Sequence, residues 1–398
     1  MRKKHLFYAI SLISALFITI SSFVDRSIMD GIDDPFLFTC ATFLVATLVV
    51  VFLSALFSLS VKGKPLGQFI DPSFSRLRFI KKEEVKYHLL SGLGNAMTTV
   101  AYAYLLLLFL DPSTVLPFSQ VVILYLLAIE VISEKNAPTL AELQSCIIIT
   151  FGAIMASLSL GEINLWGLAI VFLVMNPAFA LFSIYQRKLK SLRIDDSTND
   201  SINIRLWNLV FTSAIAIVMV LFMRLDRISE LAPLIADNFW PLSMASLAAS
   251  ISVILYVRGL GMAKASVAQA VRSTSLIFAI AISIMLSQLG GDPTFMMIKF
   301  MGVVLVILGV ISFALTEVKA FLLVRAERGF SSRGIMERIW EIKGVDSVAM
   351  TAGDYDLVAR VRTRTLGKGY ERIVNEMEKI EGVEDFEWNS VLKEWEKV

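Results

Sequence analysis

From Leu6 onward, long apolar stretches alternate with short polar ones, and only beyond Thr316 does the alternation stop. A helix needs roughly 20 predominantly apolar residues to cross a hydrocarbon core of about 30 Å. Ten stretches with few or no charges meet or approach that length: Leu6–Val24, Pro35–Val61, Tyr87–Leu110, Pro112–Ile129, Leu143–Gly161, Ile163–Gln186, Leu206–Met223, Phe239–Val257, Ala265–Gly291 and Phe300–Thr316. Only the ninth holds a deep charge, Arg272. The first follows Arg2, Lys3 and Lys4, as a secretory signal would. Its apolar run is too long for a signal's h-region and nine more follow, so it reads as a membrane helix.

Beyond Thr316 charges recur every few residues, and the periodicity becomes that of strands and amphipathic helices. Ala320–Val324 predicts a strand, Ser331–Ile342 a helix, Val345–Met350 and Tyr355–Val361 strands, Leu366–Ile380 a helix and Val383–Leu392 a last strand. This βαββαβ order is that of a ferredoxin-like α/β domain. Each helix ends in a Gly-Val step, Gly344-Val345 and Gly382-Val383, with glycine as the C-cap.

Composition agrees with a bilayer as solvent for the first part. The chain is 56% apolar, against about 45–50% for soluble domains, and its mean hydropathy is +0.70. Cys40 and Cys146 stand inside apolar runs and read as small hydrophobes. His5 and His88 lack metal-ligand spacing, so no metal and no cofactor are expected. No nucleophile, base and orienting group share a motif, so an enzyme is not expected either.

The net charge of +2 conceals an asymmetry. One set of alternate loops holds Arg2, Lys3, Lys4, seven basic residues between Lys62 and Lys86, Lys135, the run Arg187 to Arg205, Arg258 and Lys264; the other holds only Arg26, Arg224, Arg227 and Lys299. Basic residues concentrate in cytoplasmic loops. A multi-pass protein of the cell membrane with both termini in the cytoplasm is therefore expected. The predicted division is 1–190 for repeat 1 with helix 6, 191–203 for a cytoplasmic linker, 204–316 for the rest of repeat 2, and 317–398 for a cytosolic domain.

Five apolar stretches lie on each side of that linker, and the halves share a local pattern. Ala103-Tyr104 followed by Ser113-Thr114-Val115 corresponds to Leu255-Tyr256 followed by Ala265-Ser266-Val267. Phe151-Gly152-Ala153-Ile154 corresponds to Leu308-Gly309-Val310-Ile311. With an odd number of spans in each half, the two repeats enter the membrane inverted, the plan of many secondary transporters. Together with the start of the ninth stretch, Gly261 to Val271, and the run Val303 to Ile311, this part of the chain resembles the EamA family of the drug/metabolite transporter superfamily. The resemblance implies ten transmembrane helices as two inverted five-helix repeats and the transport, often the export, of small metabolites. Ser273-Thr274-Ser275 stands where that family usually has a proline, and Glu134 has no counterpart at Ser287-Gln288-Leu289.

The last part resembles the ligand-binding (RAM) domain of Lrp/AsnC regulators. Gly329, the paired Gly-Val steps and the turn Thr351-Ala352-Gly353-Asp354-Tyr355-Asp356-Leu357-Val358 carry the likeness. It implies association through the sheet into a homodimer or higher oligomer and binding of an amino-acid effector near that turn. The residues agree: a glycine turn exposes N–H groups that receive a carboxylate, and Asp354, Tyr355 or Asp356 lies beside them. The plainer alternative is that Gly353 only makes the turn and Asp356 only caps it. No helix-turn-helix precedes the domain, so nucleic acid is not an expected partner.

Within the apolar stretches, an ionisable group is by default a functional candidate. Arg272, beside Gln269, can clamp a carboxylate or phosphate, or snorkel to the surface. The repeat offset pairs Arg272 with Gln120 (256 − 104 = 152; 272 − 120 = 152), placing both at equivalent depths of inverted helices. Asn95, Asn176 and Tyr102 either line the same substrate cavity or bond neighbouring helices. The Asn176-Pro177 step is a candidate helix break. Glu130 either couples transport to protons or anchors a basic loop. The expected function is a secondary transporter, an exporter of small polar metabolites such as amino acids, governed by a cytosolic amino-acid sensor. The rival is a membrane receptor that binds without transport.

Overall fold

In the computed structural model the described residues are 3–29, 31–61, 63–109, 112–134, 140–157, 165–194, 197–263, 265–286, 293–314, 318–327, 329–363 and 366–390. They divide into two compact units, residues 1–128 with 146–310, and residues 129–145 with 311–398.

The first unit is helical. In chain order come α1 (Lys3–Met29), α2 (Pro35–Phe57), α3 (Lys82–Phe109), α4 (Pro112–Phe118), α5 (Val122–Glu134), α6 (Leu140–Ser157), α7 (Leu165–Ile170), α8 (Asn176–Ser191), α9 (Ser201–Met223), α10 (Phe239–Leu260), α11 (Ala265–Arg272), α12 (Ser275–Leu286) and α13 (Pro293–Ala314), with α5, α6 and α13 running on into the second unit. Among the described residues seven helical spans are long and apolar enough to cross a membrane: Leu6–Met29, Pro35–Phe57, Lys82–Phe109, Leu165–Ser191, Ser201–Met223, Phe239–Leu260 and Ala265–Ser283. Three further apolar helices, Val115–Glu130, Leu143–Gly152 and Phe300–Gly309, are shorter. The seven long spans coincide with seven of the ten predicted stretches and the shorter helices with parts of the other three, while the end of the second stretch, Ser60–Val61, is a short strand.

Capping fixes two of the starts. Asp34 accepts the N–H groups of Phe36 and Leu37 at the head of α2, with Pro35 in the first turn. Asp200 accepts the Asn203 N–H at the head of α9, so this helix begins at Ser201, inside the predicted linker. The helices meet through small residues. A Cβ on Gly94 would stand 2.6 Å from Ala178 O, and one on Gly152 2.6 Å from Gly302 O. Glycine therefore sets how closely α3 approaches α8, and α6 approaches α13. The most extensive packing is α1 on α10 and α3 on α8, followed by α2 on α9, α3 on α9 and α2 on α10. Serine pairs link them, as where Ser14 and Ser252 each donate to the other's carbonyl at 2.8 Å.

The second unit contains a four-stranded antiparallel sheet, β1 (Val318–Ala326), β2 (Val345–Met350), β3 (Leu357–Thr363) and β4 (Val383–Ser390), in the order β2-β3-β1-β4, with α14 (Ser332–Glu341) and α15 (Leu366–Met377). This is the predicted βαββαβ order. Alternate residues Ala320, Leu322 and Val324 of β1, and Leu357, Ala359 and Val361 of β3, are fully buried. They pack on Ile335, Ile339, Ile373 and Met377 of the helices. The opposite face carries Phe321, Leu323, Val358 and Arg360, all half-buried. Gly344 and Gly382 have φ of 105° and 92°, which only glycine adopts readily; each sits in the turn into the next strand, beyond the helix ends at Glu341 and Met377, so neither is the C-cap expected from sequence. Residues 315–317 and Ser287-Gln288-Leu289 lie outside the described residues.

Candidate functional site

Three helix discontinuities in the first unit have separate local causes. Pro117 stands in the last turn of α4, and a 3₁₀ turn at Ser119–Val121 separates it from α5. Ahead of α8 the backbone widens into a π turn, Val171–Met175, at the predicted Asn176-Pro177 step. The Asn176 amide donates to Val171 O at 2.9 Å and to Phe118 O at 3.0 Å. Between α11 and α12 no proline is present. There the hydroxyls of Ser273 and Thr274 donate to Ala270 O and Val271 O, at 2.5 and 2.9 Å, and compete with the helical ladder.

All three discontinuities contribute to the wall of one cavity, which has ≈ 1100 Å³ of unfilled space, mouth included. Leu116, Ser119 and Gln120 come from the first break, Met175 from the second, Gln269, Arg272 and Ser275 from the third. Gln269 Nε2 donates to Gln120 Oε1 at 3.2 Å, so Gln120 bonds the helix that carries Arg272, its match by the repeat offset, but not Arg272 itself. Arg272 is buried; one terminal nitrogen donates to Ser252 Oγ at 3.1 Å, and its guanidinium lies 4.7 Å from the Tyr256 ring centre. Its Nε has no partner. Asn95 and Tyr102 also line the cavity; Asn95 donates to Asn208 and Thr212, whereas the Tyr102 hydroxyl is buried without a partner.

Five of the six predicted cavity residues thus share one wall. Asn176 is not in it, because its amide is committed to the backbone of the helix break. Glu130, the predicted coupling carboxylate, is not in it either; it is buried on α5 within the second unit and has partners of its own.

Two lining residues escaped the sequence reading. Arg205 was counted among loop cations, yet it is 3% exposed on α9, with one contact at 3.4 Å to Ser250 Oγ and an unpartnered Nε. Asp25 lies in the last turns of α1, one residue past the apolar run as drawn; its Oδ1 has no partner and its Oδ2 is 3.5 Å from Ser21 Oγ. The signal available for both was a charge directly at the border of an apolar run, on a helix that continues beyond it.

A second polar region joins the loop before α3 to the segment before α9. Lys190 donates to Asp71 Oδ2 at 2.6 Å and to Asn199 O at 2.7 Å, and Ser201 gives Asp71 its N–H and its hydroxyl. Arg78 holds Glu84 in a bidentate pair at 2.6 and 2.7 Å, and Asn199 bonds both members. Burial opposes ionisation of Asp71, but the Lys190 ammonium and the Ser201 bonds hold its carboxyl below the usual range. Burial pushes Asp200 up, against its two bonds from Asn203. From Glu84 a stripe continues along α3 through buried His88 and Ser91 to half-buried Asn95, spaced four, three and four residues apart on one helical face. His88 stacks on Phe211, and both its ring nitrogens lack partners.

In the sheet domain, Asp356 accepts the Ala326 N–H at 2.8 Å, at the irregularity where β1 shifts register against β4. That carboxylate therefore bonds the neighbouring strand rather than capping the turn of Gly353. Gly353 has room for a Cβ, and its φ is not in the left-handed region. Thr351 closes the turn through Asp356 O and Tyr355 O, and the N–H groups of Ala352, Gly353 and Asp354 find no acceptor among the described residues. Tyr355 donates to Glu387 at 2.7 Å, which raises its phenol, and lies against Arg325.

Helices long enough to span a bilayer, broken around a polar cavity, and a ferredoxin-like sheet domain define the class: a chain of membrane-capable helices with an appended α/β module. The module can be named more closely, since residues 319–397 match the Lrp/AsnC ligand binding domain. No curated protein matches the chain. Among solved structures, one described as "Crystal structure of protein" aligns over 76% of this chain and 98% of its own, at 11% identity and a TM-score of 0.47. Another, "Crystal structure of PH0061", aligns over 31% of this chain and 76% of its own, at 14% identity and a TM-score of 0.20.

Proposed function

We propose that the helical part is a secondary transporter, exporting small carboxylate-bearing metabolites such as amino acids, and that the Lrp/AsnC domain adjusts it to the internal amino-acid pool. The observation that carries this reading is the pair of buried guanidiniums, Arg205 and Arg272, facing one cavity with no carboxylate bonded to either. Removing a charge from water without a partner is costly, and a substrate carboxylate or phosphate offsets that cost. Broken helices around the cavity support transport, since such half-helices bound the sites of many transporters.

The ten-crossing, inverted-repeat plan belongs to the same reading. Exchanging the first five apolar helices with the second five converts the α1–α10 contact into α3–α8 and the α3–α9 contact into α2–α10, and leaves α2–α9 unchanged. Both termini are then cytoplasmic in a multi-pass cell-membrane protein. The domain would receive its effector carboxylate at the free N–H groups of Ala352 to Asp354, and pair with a second copy through the half-buried sheet face.

Purified full-length chain in liposomes, loaded with a radiolabelled amino-acid mixture, tests the first claim. Efflux that Arg272→Gln slows supports it, whereas tight binding without any flux favours a receptor. Gly353→Asp tests the second, because the added carboxylate occupies the free N–H groups; effector binding should weaken roughly tenfold while unstimulated flux stays unchanged.

A further inference from the structure

The transporter reading explains two guanidiniums, but it leaves the cavity's carboxylate unexplained. Asp25 makes no ion pair among the described residues, and its Oδ1 is shielded from solvent without a partner. Its surroundings supply no cation. Around it α2 contributes Thr42, α10 contributes Ala245 and Ser246, and α3 contributes Tyr102, whose hydroxyl also lacks a partner. Asp25 on α1, whose Oδ2 has the Ser21 hydroxyl at 3.5 Å and whose Oδ1 has nothing, and Tyr102 on α3 offer two hydrogen-bond positions on one cavity wall to a guest with several N–H donors.

The separation of this end from the arginine end can be read along α1, which is one unbroken helix. Arg272 is bonded to Ser252, and Ser252 to Ser14, so the guanidinium sits at the level of Ser14. From Ser14 to Asp25 is 25 − 14 = 11 residues, about 16 Å along the axis at 1.5 Å per residue. An α-ammonium and α-carboxylate are attached to the same carbon and cannot reach both ends at once. A long chain with an ammonium at its tip can.

We propose that the cavity is built for a substrate with a carboxylate at one end and an ammonium at the other, of the diamino-acid type, with Arg205 and Arg272 receiving the carboxylate and Asp25 with Tyr102 the distal ammonium. This rests on the transporter reading and narrows its substrate class. The length requirement also accounts for the wall between the two ends, where Gln120, Ser119, Thr98 and Thr99 offer neutral polar contacts to an alkyl stem and its flanking waters rather than a further charge.

The test uses full-length protein in liposomes and three probes that share one four-carbon stem: L-lysine, N6-acetyl-L-lysine and L-norleucine. Lysine should exchange against labelled lysine at least roughly tenfold better than either neutral-tailed probe, the usual scale for a hydrogen bond to a charged group. Asp25→Asn should erase that preference and Asp25→Glu should retain it, which separates loss of the carboxylate from loss of the fold. Equal exchange of lysine and norleucine by the wild type, or an Asp25→Asn chain that still prefers lysine, overturns the proposal and leaves the transporter reading intact. Absence of flux for every probe refutes transport instead. In that event calorimetry of the detergent-purified chain decides the site: lysine binding weakened by Asp25→Asn upholds it, and lysine binding no tighter than norleucine rejects it.

Discussion

The first unit contains two buried polar regions of opposite character. Around Asp71, Glu84, Lys190 and Asn199 the charges are matched, and each carboxylate is bonded by a cation and by further N–H or O–H donors. Around the cavity, Arg205, Arg272, Asp25, Tyr102 and Gln269 each keep an atom with no partner. A saturated network has nothing left to offer a ligand and serves to hold loops together. An unsaturated one costs stability until something fills it, which marks it as the place where a guest belongs. The difference in bonding, rather than in burial or charge, separates scaffold from site.

Removing one member from each region should therefore have opposite consequences. Lys190→Met leaves Asp71 buried without its counter-ion and should destabilise the chain by about 3–5 kcal/mol, read as a lowered unfolding midpoint in detergent. Arg272→Gln should weaken substrate binding by roughly 10- to 100-fold, the loss of a charge-assisted hydrogen bond, with thermal stability unchanged or raised. A large fall in stability for Arg272→Gln would place the cavity with the scaffold and break the contrast.

Acid titration sharpens it further. The Asp71 carboxyl is held low when folded, so its contribution is present above the unfolded value near about 3.9 and is lost as pH falls through its folded value. Asp200 is raised, so its contribution is present below the unfolded value and is lost as pH rises through its folded one. Melting temperatures across the acid range should fall at low pH in the wild type. Asp200→Asn, which still caps α9, should keep that fall and lose the opposing gain, and Lys190→Met should flatten it. The smallest effect is expected for Tyr102→Phe, since its hydroxyl bonds nothing; stability should move by less than about 0.5 kcal/mol, while lysine exchange slows.

Much of this architecture was readable from residue order. Apolar stretches longer than a bilayer is thick leave few alternatives to helices, and the sheet domain announced itself through alternating strands and two amphipathic helices, each followed by a Gly-Val step. Arg272, Gln269 and Gln120 were legible because each stands deep inside an apolar run. Arg205 and Asp25 were not, and the reason is the criterion itself: a run drawn to exclude charges stops at the first functional charge it meets, so Val24 and Leu206 became its ends. The partners of Asn176 and Asp356 were not legible either. Their side chains satisfy a π turn and a strand irregularity, backbone features that sequence does not display. The segment before α9 read as a polar tether, and only the coordinates bring Asn199 to Glu84 and Lys190 to Asp71.

The two broken helices opposite each other in the cavity differ in how they are interrupted. Pro117 has no N–H and a fixed φ, so the bend beside Gln120 is permanent. At Ser273 and Thr274 the interruption is made by hydroxyls that rotate about a single bond. One arm of the cavity is therefore a fixed jaw and the other a hinge that can straighten, and any stroke of this molecule is expected to be carried by the half that contains Arg272.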